Sequence, residues 1–116
     1  MRPTLEHILL VDDDPDIRLI ARLALRRGGW RVDVAGSGDE AMLAVAACAP
    51  DLVLLDVMLE GETGLDLMKR LPAELPVVFL TARTDMAATG AAGVIQKPFD
   101  PAALADRLEQ IWQGLG

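Results

Sequence analysis

Residues 8–16 run Ile8-Leu9-Leu10-Val11-Asp12-Asp13-Asp14-Pro15-Asp16, an apolar stretch that ends abruptly in acid and then in proline. Four consecutive apolar residues suit a strand buried on both faces, as in a parallel sheet covered by helices. Asp14 before Pro15 supplies a capping side chain ahead of a residue whose fixed φ fits the first helical position. The stretch therefore predicts a strand, a sharp turn and a helix, with carboxylates at the strand's carboxyl end.

The same unit recurs along the chain. Further apolar runs stand at Arg31–Ala35, Leu52–Leu55, Val77–Leu80 and Val94–Gln96, bounded by Asp, Gly or Pro. Between them lie segments of helical character. Pro15–Arg27 stops at Gly28-Gly29. Within it Arg18, Arg22 and Arg26 form one solvated stripe, and Ile17, Ile20, Ala21 and Ala24 line the opposite side. Ser37-Gly38-Asp39-Glu40 is a capping box opening a helix that runs to about Ala49, before Pro50. Gly64–Leu71 is stopped by Pro72, and Asp100-Pro101 opens a last helix to about Gln113. The alternation predicts an α/β fold: a three-layer, doubly wound, five-stranded parallel sheet with right-handed crossovers. The expected strand order is 2-1-3-4-5 (flavodoxin-like), with its ligand site at the carboxyl ends of strands 1 and 3.

Composition narrows the class. A chain of 116 residues, 52% of them hydrophobic, is long enough for one domain and too short for two. The expectation is a single domain over residues 1–116 with no output domain in this chain. Eleven basic residues against 18 acidic give a net charge of −7, which disfavours direct nucleic acid and membrane surfaces as partners. One cysteine, Cys48, excludes a disulfide framework. No apolar run approaches a membrane span and the N-terminus lacks a signal peptide's parts, so a cytoplasmic location is expected. Cys48 in its alanine-rich helix is expected to be a small buried hydrophobe. His7 is expected at the surface; Trp112 is left open between core and exposed contact.

The polar residues gather at one edge of this sheet. Strand 1 ends in Asp12-Asp13-Asp14, strand 3 in Asp56, strand 4 in Thr81, and strand 5 in Lys97-Pro98. Asp12, Asp13 and Asp56 should converge, and carboxylates that close repel one another unless a cation joins them. All-oxygen ligation with few protein ligands suits Mg²⁺, with Mn²⁺ as its substitute. An Asp at a strand end is commonly only a helix cap, as Asp14 and Asp16 are read here, and a lone Thr or Lys is commonly a turn hydroxyl or a solvated charge. Useful side chains delivered by four strands to one edge outweigh that reading. The set makes a phosphoryl-transfer site with Asp56 as a carboxylate nucleophile, Asp13 and Asp56 on the metal, and Lys97 and Thr81 on phosphoryl oxygens. No Walker loop is present, so a nucleotide is not the expected donor.

These residues resemble the receiver domain of bacterial two-component response regulators, in ILLVDDDPDIRLI, DLVLLDVMLEGETGLDLMKRL, VVFLTA and IQKPF. The resemblance implies Asp56 as phosphoacceptor, Asp12 (directly or through water) and Asp13 as the acid pair, and the Met58 carbonyl as a metal ligand. It implies Thr81, Ala82 and Lys97 as the phosphoryl-binding and switch positions. It implies a phosphoryl group taken from phosphohistidine on a sensor histidine kinase or phosphotransfer protein, which would meet Asp14, Pro15, Arg18, Arg22 and Phe99. It also implies weak autophosphorylation and autodephosphorylation rather than conventional enzyme activity.

Three departures from the family pattern stand out. Glu60 occupies the usual proline position after the phosphoacceptor and is expected to loosen that loop. The stretch from Thr81 to Lys97 is several residues short, leaving at most one turn of a fourth helix at Asp85–Ala88. Val94 stands where the family's switch aromatic usually lies, so ordering of Arg83–Gly93 is the expected readout. The alternative is a phosphorylation-independent interaction module with the same fold. An aspartyl-phosphate phosphatase would favour a second Asp where Met58 stands.

Overall fold

The computed structural model describes residues 3–82 and 90–115. Its elements run β1 (His7–Val11), α1 (Pro15–Arg27), β2 (Arg31–Ala35), α2 (Gly38–Ala47), β3 (Leu52–Asp56), β4 (Met58–Leu59), β5 (Glu62–Thr63), α3 (Gly64–Arg70), β6 (Val77–Thr81), β7 (Gly93–Gln96) and α4 (Pro101–Gly114). Five strands form one parallel sheet in the order β2-β1-β3-β6-β7, which is the expected order once the small antiparallel hairpin β4-β5 is set aside. The short helix expected at Asp85–Ala88, and most of the segment expected to order on signalling, lie outside the described residues.

Side-chain alternation explains the three layers. Every residue of β1, β3 and β6 is buried, whereas the edge strands β2 and β7 are buried only in part. Ile8, Leu10, Leu52, Leu54, Val78 and Leu80 point to one face and pack with Ala21, Ala24 and Leu25 of α1 and Leu104, Leu108 and Trp112 of α4. Their immediate neighbours Leu9, Val11, Val53, Leu55, Val77 and Phe79 point to the other and pack with Ala41 of α2 and Leu67 of α3. A strand's period of two thus builds two cores from one continuous apolar run.

Capping follows the sequence. The Asp14 carboxylate accepts from the N–H groups of Asp16 and Ile17, Ser37 from Glu40, Thr63 from Asp66, and Asp100 from Ala102. Each side chain satisfies a donor that the first helical turn leaves unpaired.

Several expectations need correction. Ile20 does not line the core side of α1; it is exposed, as are Leu19 and Leu23, and the buried stripe is Ala21, Ala24 and Leu25. Small residues let α1 approach closely, and at its end Gly28 lies where an added Cβ would stand 3.1 Å from the Cβ of Ala105 in α4. Cys48 is exposed, because α2 ends at Ala47 and Cys48 is its cap. His7 is buried as the first residue of β1, and its Nε2 lies 2.8 Å from Oδ2 of Asp33 on the adjoining strand. Trp112 belongs to the core and donates its indole N–H to the Pro3 carbonyl at 2.9 Å. Glu60 stands in the turn of the β4–β5 hairpin, with Gly61 at φ 84°. Among the described residues, no helix is long and apolar enough to cross a membrane.

Candidate functional site

The carboxyl edge of the sheet brings three carboxylates together. Each of Asp12, Asp13 and Asp56 offers an oxygen within 4.8 Å of the others. Asp12 and Asp56 are buried, while Asp13, one residue beyond the strand's turn, is partly exposed. The parallel pairing of β1 with β3 sets Val11 beside Leu55, so the acids that follow these residues emerge side by side.

Hydrogen bonds hold the two buried carboxylates in place. Oδ1 of Asp12 accepts from the Asp14 N–H at 2.9 Å, and Oδ1 of Asp56 accepts from the Met58 N–H at 3.1 Å. Their other oxygens face Lys97, whose Nζ lies 3.0 Å from Asp12 Oδ2 and 3.4 Å from Asp56 Oδ2. Lys97 is carried to this edge by its backbone, whose N–H donates to the Thr81 carbonyl at 2.8 Å, just before a cis Lys97-Pro98 bond.

The electrostatics follow from burial and charge. Burial pushes the Asp56 carboxyl above its ordinary value and the nearby Asp12 charge adds to this; the Met58 N–H and Lys97 act the other way without cancelling it. Burial by itself would lower the Lys97 ammonium, but its hydrogen bonds and charge pairing with Asp12 and Asp56 hold it above the ordinary lysine value. The edge thus concentrates negative charge around one fixed cation. Oxygen donors of this kind and number fit a small hard divalent ion, and Asp12, Asp13 and Asp56 are the side chains that would hold it. The Met58 side chain is exposed, and its backbone stands in the turn beside Asp56.

Thr81 is buried at the end of β6, the strand next to β3, and Ala82 follows it at the surface. Val94 is half-buried and packs into the core on the α2–α3 side, opposite Phe79 in the register of β6 and β7. Of the expected partner contacts, Asp14, Pro15 and Arg22 are exposed, and Phe99 is half-buried against the core on the α1–α4 side. Arg18 departs from the solvated stripe: its guanidinium folds back to donate to the Asp12 carbonyl at 3.0 Å.

Two supporting residues were not singled out from sequence. The Gly64 N–H donates to the Val57 carbonyl, and a Cβ on Gly64 would stand 2.5 Å from the backbone oxygen of Asp56. Only a glycine lets α3 begin so close behind the acid. Arg70 holds the β4–β5 hairpin from outside through Glu62. The glycine at the start of α3 was a visible signal; the Arg70 pairing had none.

The comparisons agree with this geometry. The sequence matches the family described as response regulator receiver domain over residues 8–109. The DNA-binding response regulator MtrA of Mycolicibacterium smegmatis is 40% identical over 111 residues, covering 89% of this chain and 49% of MtrA. The transcriptional regulatory protein CseB of Streptomyces coelicolor is 37% identical over 118 residues, covering 95% of this chain and 50% of CseB. Among solved structures, the chemotaxis response regulator CheY4 of Vibrio cholerae superimposes with a TM-score of 0.83 at 29% identity, covering 93% of this chain and 99% of that one.

These relatives overturn the expectation that nucleic acid is no direct partner. The charge argument concerned only the residues in this chain, which spans about half the length of the curated relatives it matches. MtrA is a DNA-binding regulator of which this chain matches 49%, so the acidity of the matched residues is no argument against DNA as a partner. A match that runs from the first strand into the last helix takes in the whole sheet and its acidic edge; the chain belongs to the response regulator receiver domain family.

Proposed function

We propose that Asp56 is the phosphoacceptor of this signalling domain, taking a phosphoryl group from a phosphohistidine and thereby switching the domain's interactions. The observation that carries this is the placement of Asp56: buried at the end of a central strand, with one oxygen tied to the Met58 N–H and the other 3.4 Å from Lys97 Nζ.

In the proposed step a carboxylate oxygen of Asp56 attacks phosphorus. The O–P bond forms as the P–N bond to the imidazole breaks, and the imidazole nitrogen keeps the electron pair and takes up a proton. Lys97 is a compact cation able to follow a phosphoryl oxygen from its place between the two acids. The Thr81 hydroxyl donates to another phosphoryl oxygen, at the position that Ala82 follows. When bound by Asp12, Asp13, Asp56 and the Met58 carbonyl, Mg²⁺ or Mn²⁺ supplies positive charge against the incoming anion. Attack by water on the acyl phosphate reverses the modification, and both this and autophosphorylation from small phosphodonors are slow activities of the domain. Likeness to MtrA and CseB, each matched over about half its length, supports an output in transcriptional control.

Acetyl phosphate with Mg²⁺ tests the reading. The expected result is one base-labile phosphate on the wild type and none on Asp56→Asn. Equal labelling of the two proteins, or no labelling of either together with no beryllofluoride binding, overturns it.

A further inference from the structure

Arg70 ends α3 far from the phosphoryl edge in sequence, yet it grips the arm that carries Met58. Its Nη1 donates to Glu62 Oε1 at 2.7 Å and its Nη2 to Asp39 Oδ1 at 3.2 Å. The two partners are unequal. The Glu62 side chain is only 20% exposed, whereas that of Asp39 is 90% exposed. A partly buried, charge-assisted bond contributes more than a solvated one, so the Glu62 contact is the one that holds. The pairing also lifts the Arg70 guanidinium further above its ordinary value, first through Glu62 and then through Asp39.

Glu62 is not an isolated surface acid. It pairs with Leu59 in the β4–β5 hairpin, beside the pair of Met58 with Thr63. The Met58 N–H is the donor that fixes Asp56 Oδ1, and the hairpin's far end passes through Gly64, whose N–H returns to the Val57 carbonyl. The arm is thus tied to the acid at its base. On the outside, Gly38 at the start of α2 leaves the space that the Glu62 carboxylate fills, since a Cβ there would overlap it. A glycine cradle, a short ion pair and a two-residue hairpin together fix where the Met58 backbone stands.

We infer that Arg70 is a positioning residue for the phosphoryl site: through Glu62 it holds the β4–β5 arm so that the Met58 backbone stays aligned with Asp56. This role rests on Asp56 being the phosphoacceptor. Arg70 touches neither the reacting group nor the carboxylates. It acts on the backbone that orients them, as outer-shell partners do in other oxygen-ligand sites.

The test compares wild type, Arg70→Gln, Glu62→Gln, the double variant, Arg70→Lys and Asp39→Asn in three measurements. These are the melting temperature, beryllofluoride affinity in Mg²⁺, and amide exchange of Val57–Glu60 without metal. Arg70→Gln and Glu62→Gln should each weaken beryllofluoride binding about tenfold, and each should speed exchange at Met58 and Leu59. The double variant should be no worse than either single one, because the two residues act as one contact. Arg70→Lys should recover part of the affinity, and Asp39→Asn should match wild type. Unchanged affinity and unchanged exchange in a folded Arg70→Gln protein overturn the positioning role alone, as does a loss of affinity that only tracks a fall in melting temperature. A wild type that binds no beryllofluoride overturns the phosphoacceptor reading and this role with it.

Discussion

Lys97 and Asp12 lie 85 residues apart in the chain, yet their side chains meet at 3.0 Å over the carboxyl edge of the sheet. Asp12 is fully buried, so its charge has little water to lean on, and the ammonium of Lys97 is a nearby positive charge that offsets it. The same ammonium reaches Asp56 at 3.4 Å. One lysine therefore neutralises part of a site that would otherwise repel itself.

Removing that lysine should be felt in the fold. Lys97→Ala removes the ammonium that both buried carboxylates share, and a loss of about 1–3 kcal/mol is expected, below the full value for a buried pair because the lysine is partly exposed. Thermal melts without divalent metal measure it. An unchanged or higher melting temperature would show that the pairing stabilises nothing.

Asp56→Asn should do the reverse. The folded-state carboxyl is raised above its ordinary 3.8, so the wild type loses stability as pH rises through that raised value. The amide carries no such penalty. Without divalent metal the variant should melt higher than wild type near pH 7.5, and the advantage should fade as pH falls through the raised value and be gone below about 3.8, where the acid is protonated in both states. Each 1 kcal/mol moves the melting temperature of a domain this size by about 4–6 °C. A variant that melts lower than wild type at pH 7.5 contradicts the assignment of burial and repulsion as the dominant effects.

Divalent metal should stabilise the wild type by mass action. With Asp12, Asp13 and Asp56 within 4.8 Å, Mg²⁺ should bind the folded state in preference to the unfolded chain. At a hundred times its dissociation constant it should add about 2.7 kcal/mol. Chelation with EDTA should remove the gain, Asp13→Asn should diminish it, and sodium chloride at equal ionic strength should not reproduce it. A melting temperature indifferent to Mg²⁺ argues against a metal site.

Gly64 and Gly114 make a matched pair. A Cβ on Gly64 would press on the backbone of Asp56 and Val57, neither of which can move cheaply, so Gly64→Ala should cost about 1–3 kcal/mol. Among the described residues, nothing lies within 4 Å of a Cβ on Gly114, at the end of α4, so Gly114→Ala should be neutral or slightly stabilising. Equal effects of the two in denaturant titrations would remove the steric explanation.

Local chemistry was legible where one residue's environment depends on its immediate neighbours. The apolar runs announced strands buried on both faces, and Asp14, Ser37 and Asp100 announced helix starts, because a cap needs only the next few residues to act. The grouping of Asp12, Asp13 and Asp56 was legible through the strand order, which places the ends of strands 1 and 3 together. Faces of helices were less so. On α1 the exposed side carries Leu19, Ile20 and Leu23, and the core took Ala21, Ala24 and Leu25, where small residues permit close packing against α4.

Pairings between distant elements away from that edge were beyond reach from sequence. His7 looks like a surface histidine until β2 brings Asp33 to its ring, and Arg70 looks like an ordinary helix-end cation until the hairpin presents Glu62. By itself the sequence determined the α/β order, the caps and the acid-rich edge, since periodicity and capping act over a few residues. Tertiary structure alone decided which carboxylate oxygen faces Lys97, where Arg18 turns, and how the Met58 arm is held. Those depend on register and on close approach between segments far apart in the chain, where a shift of one residue or one ångström changes the partner.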